Sequence, residues 1–221
     1  MNVGKAVSVV PLLLDLKKLE SSDPSALVQF ALSHKVIQPL QVQSEFYRFA
    51  ALVARLKPKC VLEIGTCFGG TLFVLSRLSD HGATIISVDL PGGKFGGGYQ
   101  WLRTPIYRRF PRKDQKLYLI RGNSHEVETQ REVQQILGSG KLDLLFTDGD
   151  HSYDGVKTDF LCYLPMVRKG GIVAFHDIAE HPAGSGCEVS RFWNEVKQEY
   201  PHEEIIENRA QGWAGIGIVT V

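Results

Sequence analysis

Carboxylate and imidazole side chains occur together at two places in the sequence, and both places could support proton or metal chemistry. Asp148, Asp150 and His151 lie within one Asp-Gly-Asp-His run, and His176 is followed directly by Asp177. Carboxylate oxygens and imidazole nitrogens bind divalent cations, and a histidine that is not a ligand can transfer a proton. These residues predict a cation site with one histidine left as a base. The alternative is that an aspartate caps the following helix and His176 is an ordinary core residue.

A glycine-rich turn could bind a ligand through its backbone. It runs from Glu63 to Thr71 and contains Gly65, Gly69 and Gly70. Glycine allows a sharp turn and a close ligand, and a following helix offers free N–H groups. The spacing differs from the G-x-G-x-x-G of dinucleotide binders, and there is no G-K-[ST] for a nucleotide triphosphate. The alternative is a turn without a ligand, against which Glu63 argues, because an acid there repels phosphate and suits a cation.

Polar residues after two further apolar runs suit the two ends of a nucleoside. Asp89 ends the second run, and a carboxylate at that point can accept hydrogen bonds from both hydroxyls of a ribose. Asn123, Ser124 and His125 follow the third run and could face an adenine. Each of these signals is weak alone, because polar residues are common where strands end.

The candidate residues all follow short apolar runs, which alternate with segments of helical periodicity. This alternation predicts an α/β fold with a mostly parallel sheet, in which ligands bind beyond the carboxyl ends of the strands. A helix is predicted over residues 43–57. Parallel strands are predicted at 60–64, 84–88, 117–120, 142–147 and 172–175. Residues 203–207 and 215–221 predict an antiparallel hairpin, because no crossover helix fits between them.

Length and composition predict one domain, residues 41–221, preceded by a helical arm, residues 1–40, that could mediate a homo-oligomer. The chain has 221 residues and a formal net charge of +1, which gives no reason to expect a nucleic acid or a membrane as partner. Its four cysteines form no CxxC pair, as expected of a reducing compartment. The apolar run 6–14 contains a proline and lacks a cleavage site, so we expect no signal peptide and a cytoplasmic protein.

The segment between residues 91 and 116 is too long for a tight connection, and such loops are often functional. From residue 103 to residue 116 it carries six basic residues against the single acid Asp114. The basic residues form either a solvated face or a site for an anionic substrate. Phe95, Tyr99 and Trp101 flank three glycines and form either a lid over a ligand or simple loop packing.

Four of these motifs, in order along the chain, resemble the class I S-adenosylmethionine-dependent methyltransferases. They are VLEIGTCFGGT, the acid of SVDLPGG, LLFTDGDHSYDGV and GGIVAFHDI. Within that class the sequence is most similar to the cephalosporin-hydroxylase-like and macrolide-sugar O-methyltransferase group, with a more distant likeness to catechol-type enzymes. The resemblance covers residues 43–221. It implies a Rossmann-like methyltransferase fold with a seven-stranded sheet, an antiparallel last strand and helices on both faces.

The resemblance also implies roles for the motif residues. S-adenosylmethionine would be held at its ribose by Asp89, near its adenine by the residues at 123–125, and near its methionine part by the glycine-rich turn. The full cofactor-binding set is Glu63, Gly65, Thr66, Cys67, Gly69, Gly70, Thr71, Asp89, Leu90, Asn123, Ser124, His125 and Asp148. Metal-dependent relatives bind Mg²⁺ at the positions that match Asp148, His176 and Asp177, and their general base matches His151.

The implied activity is metal-assisted O-methylation of a hydroxyl on a small molecule, such as a sugar or a glycosylated metabolite. Asp148 and His151 are the expected catalytic residues. His176 replaces the usual oxygen ligand, and imidazole suits Mn²⁺ better than Mg²⁺. Because the relatives bind Mg²⁺, the expected metal is Mg²⁺ or Mn²⁺. An ordinary histidine titrates near ~6.5, so His151 is expected to accept a proton at neutral pH. Two alternatives stay open: hydroxylase-like chemistry on the same fold, and a cofactor-binding module without catalysis.

Overall fold

Seven strands form one sheet in the computed structural model, which describes residues 3–19, 21–93 and 101–221. The strands are β1 (Cys60–Ile64), β2 (Thr84–Asp89), β3 (Lys116–Arg121), β4 (Leu142–Thr147), β5 (Val167–His176), β6 (His202–Ile205) and β7 (Ile216–Thr220). They lie in the order β3-β2-β1-β4-β5-β7-β6. The first five are parallel, and β7 is antiparallel to both β5 and β6. The predicted fold class and the C-terminal hairpin are confirmed.

Helices cover both faces of the sheet. Within the described residues they are α1 (Val3–Lys18), α2 (Pro24–Ser33), α3 (Gln43–Leu56), α4 (Gly70–Leu78), α5 (Thr104–Tyr107), α6 (Val127–Leu137), α7 (Tyr153–Tyr163) and α8 (Val189–Val196). Side chains alternate between the faces along each strand. Val61 of β1 packs in the cluster that includes residues of α1 to α5, whereas Leu62 packs with α6 to α8. Both faces of the parallel sheet are therefore buried.

The direction of strand addition reverses at the centre of the sheet. β2 and β3 extend from β1 on one side, and β5 extends from β4 on the other. The loops after β1 and β4 therefore diverge and leave a crevice at the carboxyl ends of the strands. Backbone bonds from Gly65 N–H to the Val88 carbonyl and from Asp148 N–H to the Ile64 carbonyl hold the starts of these loops together.

Strand boundaries differ from the prediction chiefly at β5 and β6. β5 begins at Val167 rather than at residue 172. The prediction missed its first residues because the Arg-Lys-Gly-Gly stretch before residue 172 has no apolar pattern. β6 ends at Ile205 rather than at residue 207. There the backbone N–H of Glu207 donates to the carboxylate of Glu45 instead of continuing the strand.

The N-terminal helices pack onto the domain. α1 continues through Pro11, and Leu12 and Leu16 beyond it are buried. Burial of this helical face outweighs the loss of one backbone hydrogen bond at the proline. In α2, Leu27 is buried in the same cluster as residues of α3 and α4. The division into an arm, 1–40, and a domain, 41–221, stays a prediction.

Two of the six basic residues between positions 103 and 116 form hydrogen bonds to backbone carbonyls elsewhere in the chain. Arg103 donates to the Val36 carbonyl, and Arg112 donates to the carbonyls of Arg77 and Ser79 at the end of α4. The other four basic residues are exposed, and they are Arg108, Arg109, Lys113 and Lys116. These four are the ones still available to an anionic ligand.

The lid prediction falls mostly outside the described residues, which exclude Phe95 and Tyr99. Trp101 begins a short 3-10 turn before α5 and is 67% exposed. No helix in the described ranges is long and apolar enough to cross a membrane.

Candidate active site

A cleft of about 570 Å³ lies at the carboxyl ends of the strands. Its size suits a small organic ligand. The residues predicted from the sequence that line it are Gly65, Thr66, Cys67, Gly69, Gly70, Thr71, Asp89, Leu90, Asn123, Ser124, His125, Asp148, His151, His176 and Asp177. Other lining residues, to which the sequence analysis gave no role, include Pro39, Leu40, Gln41, His181 and Trp213. The structure thus brings together every predicted site residue except Glu63.

The glycine-rich turn is packed too tightly for side chains at its three glycines, and a Cβ at Gly70 would lie 2.3 Å from the carbonyl oxygen of Ile37. The other two glycines also have a positive φ. Gly65 has φ +89°, and a Cβ there would lie 2.0 Å from the carbonyl oxygen of Asp148. Gly69 also has φ +89°, and a Cβ there would lie 2.4 Å from the ring of Tyr107. Glycine is needed at both positions, because L side chains rarely adopt this backbone conformation and the space is already filled.

Asp89 joins the end of β2 to the glycine-rich turn. Its Oδ2 accepts hydrogen bonds from the backbone N–H groups of Thr66 and Cys67, each at 2.9 Å. Burial raises the pKa of the Asp89 carboxyl, and these N–H groups oppose that effect by stabilising the carboxylate. Asp89 lines the cleft, so its carboxylate can orient the turn and also accept hydrogen bonds from a ligand.

Glu63 lies beneath the turn and does not line the cleft. It is fully buried on β1, and Ser87 of β2 donates a hydrogen bond to its Oε2. The Thr66 hydroxyl, which belongs to the turn, contacts the Ser87 hydroxyl and also interacts with Glu63, so two hydroxyls link Glu63 to the turn. Burial raises the pKa of Glu63 well above its usual range, which disfavours the negative charge that the sequence analysis assigned to it. Glu63 therefore lies behind the turn rather than in the cleft wall, and its place in the cofactor-binding set stays a prediction.

The residues after β3 form the opposite end of the cleft. The Asn123 side chain accepts from the His125 N–H at 3.0 Å, and Tyr163 donates to the Ser124 carbonyl. His125 Nε2 lies 3.3 Å from Oδ1 of Asp159, a carboxylate on α7 that is 1% exposed. This carboxylate raises the pKa of the His125 imidazole. The sequence analysis did not identify Asp159, since an acid within a helix carries no signal of such a contact.

Asp148, His176 and Asp177 converge on one point between β4 and β5. His176 Nδ1 lies 3.2 Å from Asp148 Oδ1 and 3.4 Å from Asp177 Oδ1. The His176 ring is 4% exposed, and neither of its nitrogens has a well-formed hydrogen bond within the described residues. Buried polar atoms normally have partners. Two carboxylate oxygens and one imidazole nitrogen, all within 4.8 Å of one another, fit the ligand set of a divalent cation.

His151 lies between the same two carboxylates. Its Nδ1 is 2.9 Å from Asp177 Oδ2, and its Nε2 is 3.5 Å from Asp148 Oδ1. Burial alone would lower the pKa of His151, but the hydrogen bond to Asp177 and the two negative charges outweigh burial and raise the pKa to about 10. The expectation of a neutral imidazole at pH 7 is therefore wrong for the protein without a bound cation.

Asp177 is held by several groups. Its backbone has φ +63°, its Oδ1 accepts from the Ala214 N–H at 2.9 Å, and His181 Nε2 lies 3.3 Å from the same oxygen. Burial alone would raise its pKa, but the imidazoles of His176, His151 and His181 lower the pKa well below the usual range. The Asp177 side chain is therefore a deprotonated carboxylate. His181 was not predicted, because its position four residues after Asp177 in a loop has no recognisable motif.

The loop 206–215, between β6 and β7, reaches the cleft through Trp213, and its Ala214 N–H donates to Asp177, which also lines the cleft. The side chain of Glu45 on α3 is fully buried beside this loop. Its carboxylate accepts hydrogen bonds from the backbone N–H groups of Glu207 and Gly215 and from the Gln211 side chain, and these bonds hold the loop in place. A signal for Glu45 existed in the sequence. It lies one helical turn before Phe49, on the apolar face of an amphipathic helix, where an unpaired acid is unusual.

Replacing Glu45 by alanine is expected to lower the free energy of unfolding by at least about 1–3 kcal/mol, the cost of one buried donor left without a partner. Glu45→Gln should lose less, because its amide oxygen can still accept. Glu203→Gln is the matched control, since Glu203 is exposed and makes only a long contact to Arg48. Urea unfolding of the three variants measures the effect. Equal stability of Glu45→Ala and the control would show that the loop does not depend on Glu45.

Comparisons with known proteins identify the family. Residues 62–178, more than half of the chain, match the family model described as a methyltransferase domain. An uncharacterized protein of Sinorhizobium fredii, y4gI, is 28% identical over 148 residues, which are 66% of this chain and 16% of that relative. The chain thus spans only a small part of that relative's length.

Solved structures share the fold. An O-methyltransferase from Bacillus cereus in complex with S-adenosylhomocysteine has a TM-score of 0.59 at 16% identity, covering 92% of each chain. MycE methyltransferase from the mycinamycin biosynthetic pathway, in complex with Mg, S-adenosylhomocysteine and mycinamycin VI, has a TM-score of 0.58 at 18% identity. That match covers 90% of this chain and 54% of MycE. With more than half of its length matched by the family model, the chain belongs to the methyltransferase-domain family.

Proposed function

We propose that this protein transfers a methyl group from S-adenosylmethionine to a hydroxyl of a small molecule, with a sugar or a glycosylated metabolite as the acceptor. One observation carries the proposal: a single cleft contains both the glycine-rich turn with Asp89 and the carboxylate–imidazole cluster. The first group suits a nucleoside-linked methyl donor. The second suits an acceptor hydroxyl that must lose its proton.

The donor end of the cleft would hold the cofactor through residues of three strand ends. Asp89 would accept from the ribose hydroxyls, the backbone of Gly65 to Gly70 would follow the methionine part, and His125 would lie against the adenine. S-adenosylmethionine supplies a methyl carbon made electrophilic by its sulfonium. The protein then needs mainly to align this carbon with the acceptor oxygen and to keep water out.

The acceptor end would hold a divalent cation through Asp148, His176 and Asp177. Such a cation lowers the pKa of a bound hydroxyl. The oxygen ligands suit Mg²⁺ and Mn²⁺ alike, whereas the buried imidazole of His176 favours Mn²⁺. MycE, which has the same fold, was solved with Mg, and this supports a divalent metal in this protein.

His151 would take the proton of the acceptor hydroxyl. Burial alone would lower its pKa, but the hydrogen bonds to Asp177 and Cys187 and the negative charges of Asp148 and Asp177 raise the pKa to about 10. The imidazole is therefore protonated at neutral pH while these charges are unbalanced. A positive charge shared by the two carboxylates weakens that effect and lowers the pKa of His151. Cation binding would therefore make the base competent.

Replacing Asp89 by alanine is expected to weaken S-adenosylmethionine binding by roughly 1.5–3 kcal/mol, the scale of a hydrogen bond to a charged group. Asp89→Asn separates the two roles of the residue. Its amide oxygen can still accept from Thr66 and Cys67 and preserve the turn, while the charge is lost. Calorimetry measures the affinities. Unchanged affinity in folded Asp89→Ala would remove the ribose assignment.

The direct test of the activity is transfer of an isotopically labelled methyl group from S-adenosylmethionine to a panel of sugars and glycosylated metabolites. Labelled product and S-adenosylhomocysteine should form in equal amounts, and only when a divalent cation is present. Tight cofactor binding with no transfer to any hydroxylated acceptor would favour a binding module without catalysis.

A further inference from the structure

A second group of metal-ligating side chains meets at His151. His151, Asp177 and Cys187 each offer a ligand atom, and these atoms all lie within 4.8 Å of one another. His151 and Asp177 line the cleft, whereas Cys187 is not among the lining residues. The Cys187 thiol lies within hydrogen-bonding range of the His151 imidazole.

Asp177 presents its two oxygens to two different ligand sets. Oδ1 lies 3.4 Å from His176, in the set that contains Asp148, and Oδ2 lies 2.9 Å from Nδ1 of His151. The first set contains oxygen and nitrogen atoms only. The second contains sulfur, nitrogen and oxygen, and a thiolate ligand strongly favours soft or borderline cations such as Zn²⁺ over Mg²⁺.

The backbone fixes the position of Cys187 in this group. The N–H of the next residue, Glu188, donates to the His151 carbonyl at 2.7 Å, and α8 begins directly afterwards at Val189. Residues 182–186, which precede Cys187, are exposed, so an ion can reach the thiol from solvent.

We propose that His151, Asp177 and Cys187 form a second metal site for a thiophilic divalent cation such as Zn²⁺, and that filling this site inhibits methyl transfer. On binding, the Cys187 thiol and, where it is protonated, the His151 imidazolium each release one proton to solvent, and the thiolate and carboxylate together balance the two positive charges. The cation occupies one nitrogen of His151, and the other nitrogen then carries the proton. His151 has no lone pair left for an acceptor hydroxyl. The inhibition rests on the proposed function, whereas the binding does not.

Cobalt(II) is the probe for binding, because a thiolate ligand gives it an intense charge-transfer absorption in the near ultraviolet. The wild-type protein should show this absorption, and Cys187→Ser should lose it. Cys162→Ser is the matched control, since Cys162 is a half-buried cysteine on α7 outside both ligand sets, and it should keep the absorption. Zinc affinity measured by competition should fall at least tenfold in Cys187→Ser. Absence of the absorption in the wild type, or its persistence in Cys187→Ser, would overturn the site.

Zinc inhibition tests the second half of the proposal. With saturating Mn²⁺ and an active acceptor, Zn²⁺ should inhibit the wild type and Cys162→Ser, and Cys187→Ser should need at least tenfold more zinc. Equal inhibition of all three proteins would contradict the inhibitory role. If no acceptor is ever methylated, the proposed function fails, but the cobalt absorption still decides whether the metal site exists.

Discussion

Replacement of His151 by alanine is expected to lower the rate of methyl transfer by roughly 10²–10⁴, the usual contribution of a positioned acid–base group. The imidazole lies 2.9 Å from Asp177 and 3.5 Å from Asp148 in the cleft wall, where it can reach an acceptor bound at the carboxylates. Single-turnover measurements with labelled S-adenosylmethionine give the rate. Cofactor affinity should hardly change, because the contacts proposed for the cofactor lie mainly at the ends of β1, β2 and β3.

The pH dependence of the same reaction distinguishes a base from a residue that only orients the following helix. The active form has neutral His151, so the rate should rise with pH and level off above the pKa of the imidazole. That pKa should lie well below 10 with the cation bound, because the cation offsets the negative charges that contribute to raising it to about 10 in the protein without a cation. His202→Ala is a control, since His202 is exposed on β6. Wild-type turnover and an unchanged profile in folded His151→Ala would exclude the base role.

Removal of the divalent cation is expected to abolish turnover and leave S-adenosylmethionine binding largely intact. Without the cation, the acceptor hydroxyl keeps its ordinary high pKa and His151 stays protonated, so both requirements for the transfer are lost together. Chelation followed by readdition of Mn²⁺ or Mg²⁺ tests this, with calorimetry of cofactor binding in parallel. Asp148→Asn and Asp177→Asn should need far more metal for half-maximal rate. Full activity after exhaustive chelation would replace the metal account with a simple acid–base site.

The position of the site was predictable because it depends on strand ends. Apolar runs locate the strands, and in a parallel sheet the residues after the strands share one edge. Asp89, Asp148 and Asp177 each follow such a run, and all three line one cleft. The antiparallel hairpin was predictable for a similar reason, since the short stretch between its strands left no room for a helix.

Contacts between distant segments were not predictable from the sequence. Glu45 and the loop 206–215 are more than 160 residues apart, and only folding brings the carboxylate to the N–H groups of that loop. Likewise, His125 and Asp159 belong to unrelated elements. The raised pKa of His151 has the same origin, because it depends on two carboxylates from different strand ends. Local patterns locate strands and turns, but not the partners that set the charge of a buried group.

The most direct test of the whole account is a crystal structure of the protein with S-adenosylhomocysteine and Mn²⁺, with data collected at the manganese absorption edge. The account predicts cofactor density along the turn from Gly65 to Gly70, with its ribose at Asp89. It also predicts one anomalous peak bounded by Asp148, His176 and Asp177. An empty cleft at saturating cofactor, or a manganese peak away from these three side chains, would contradict it.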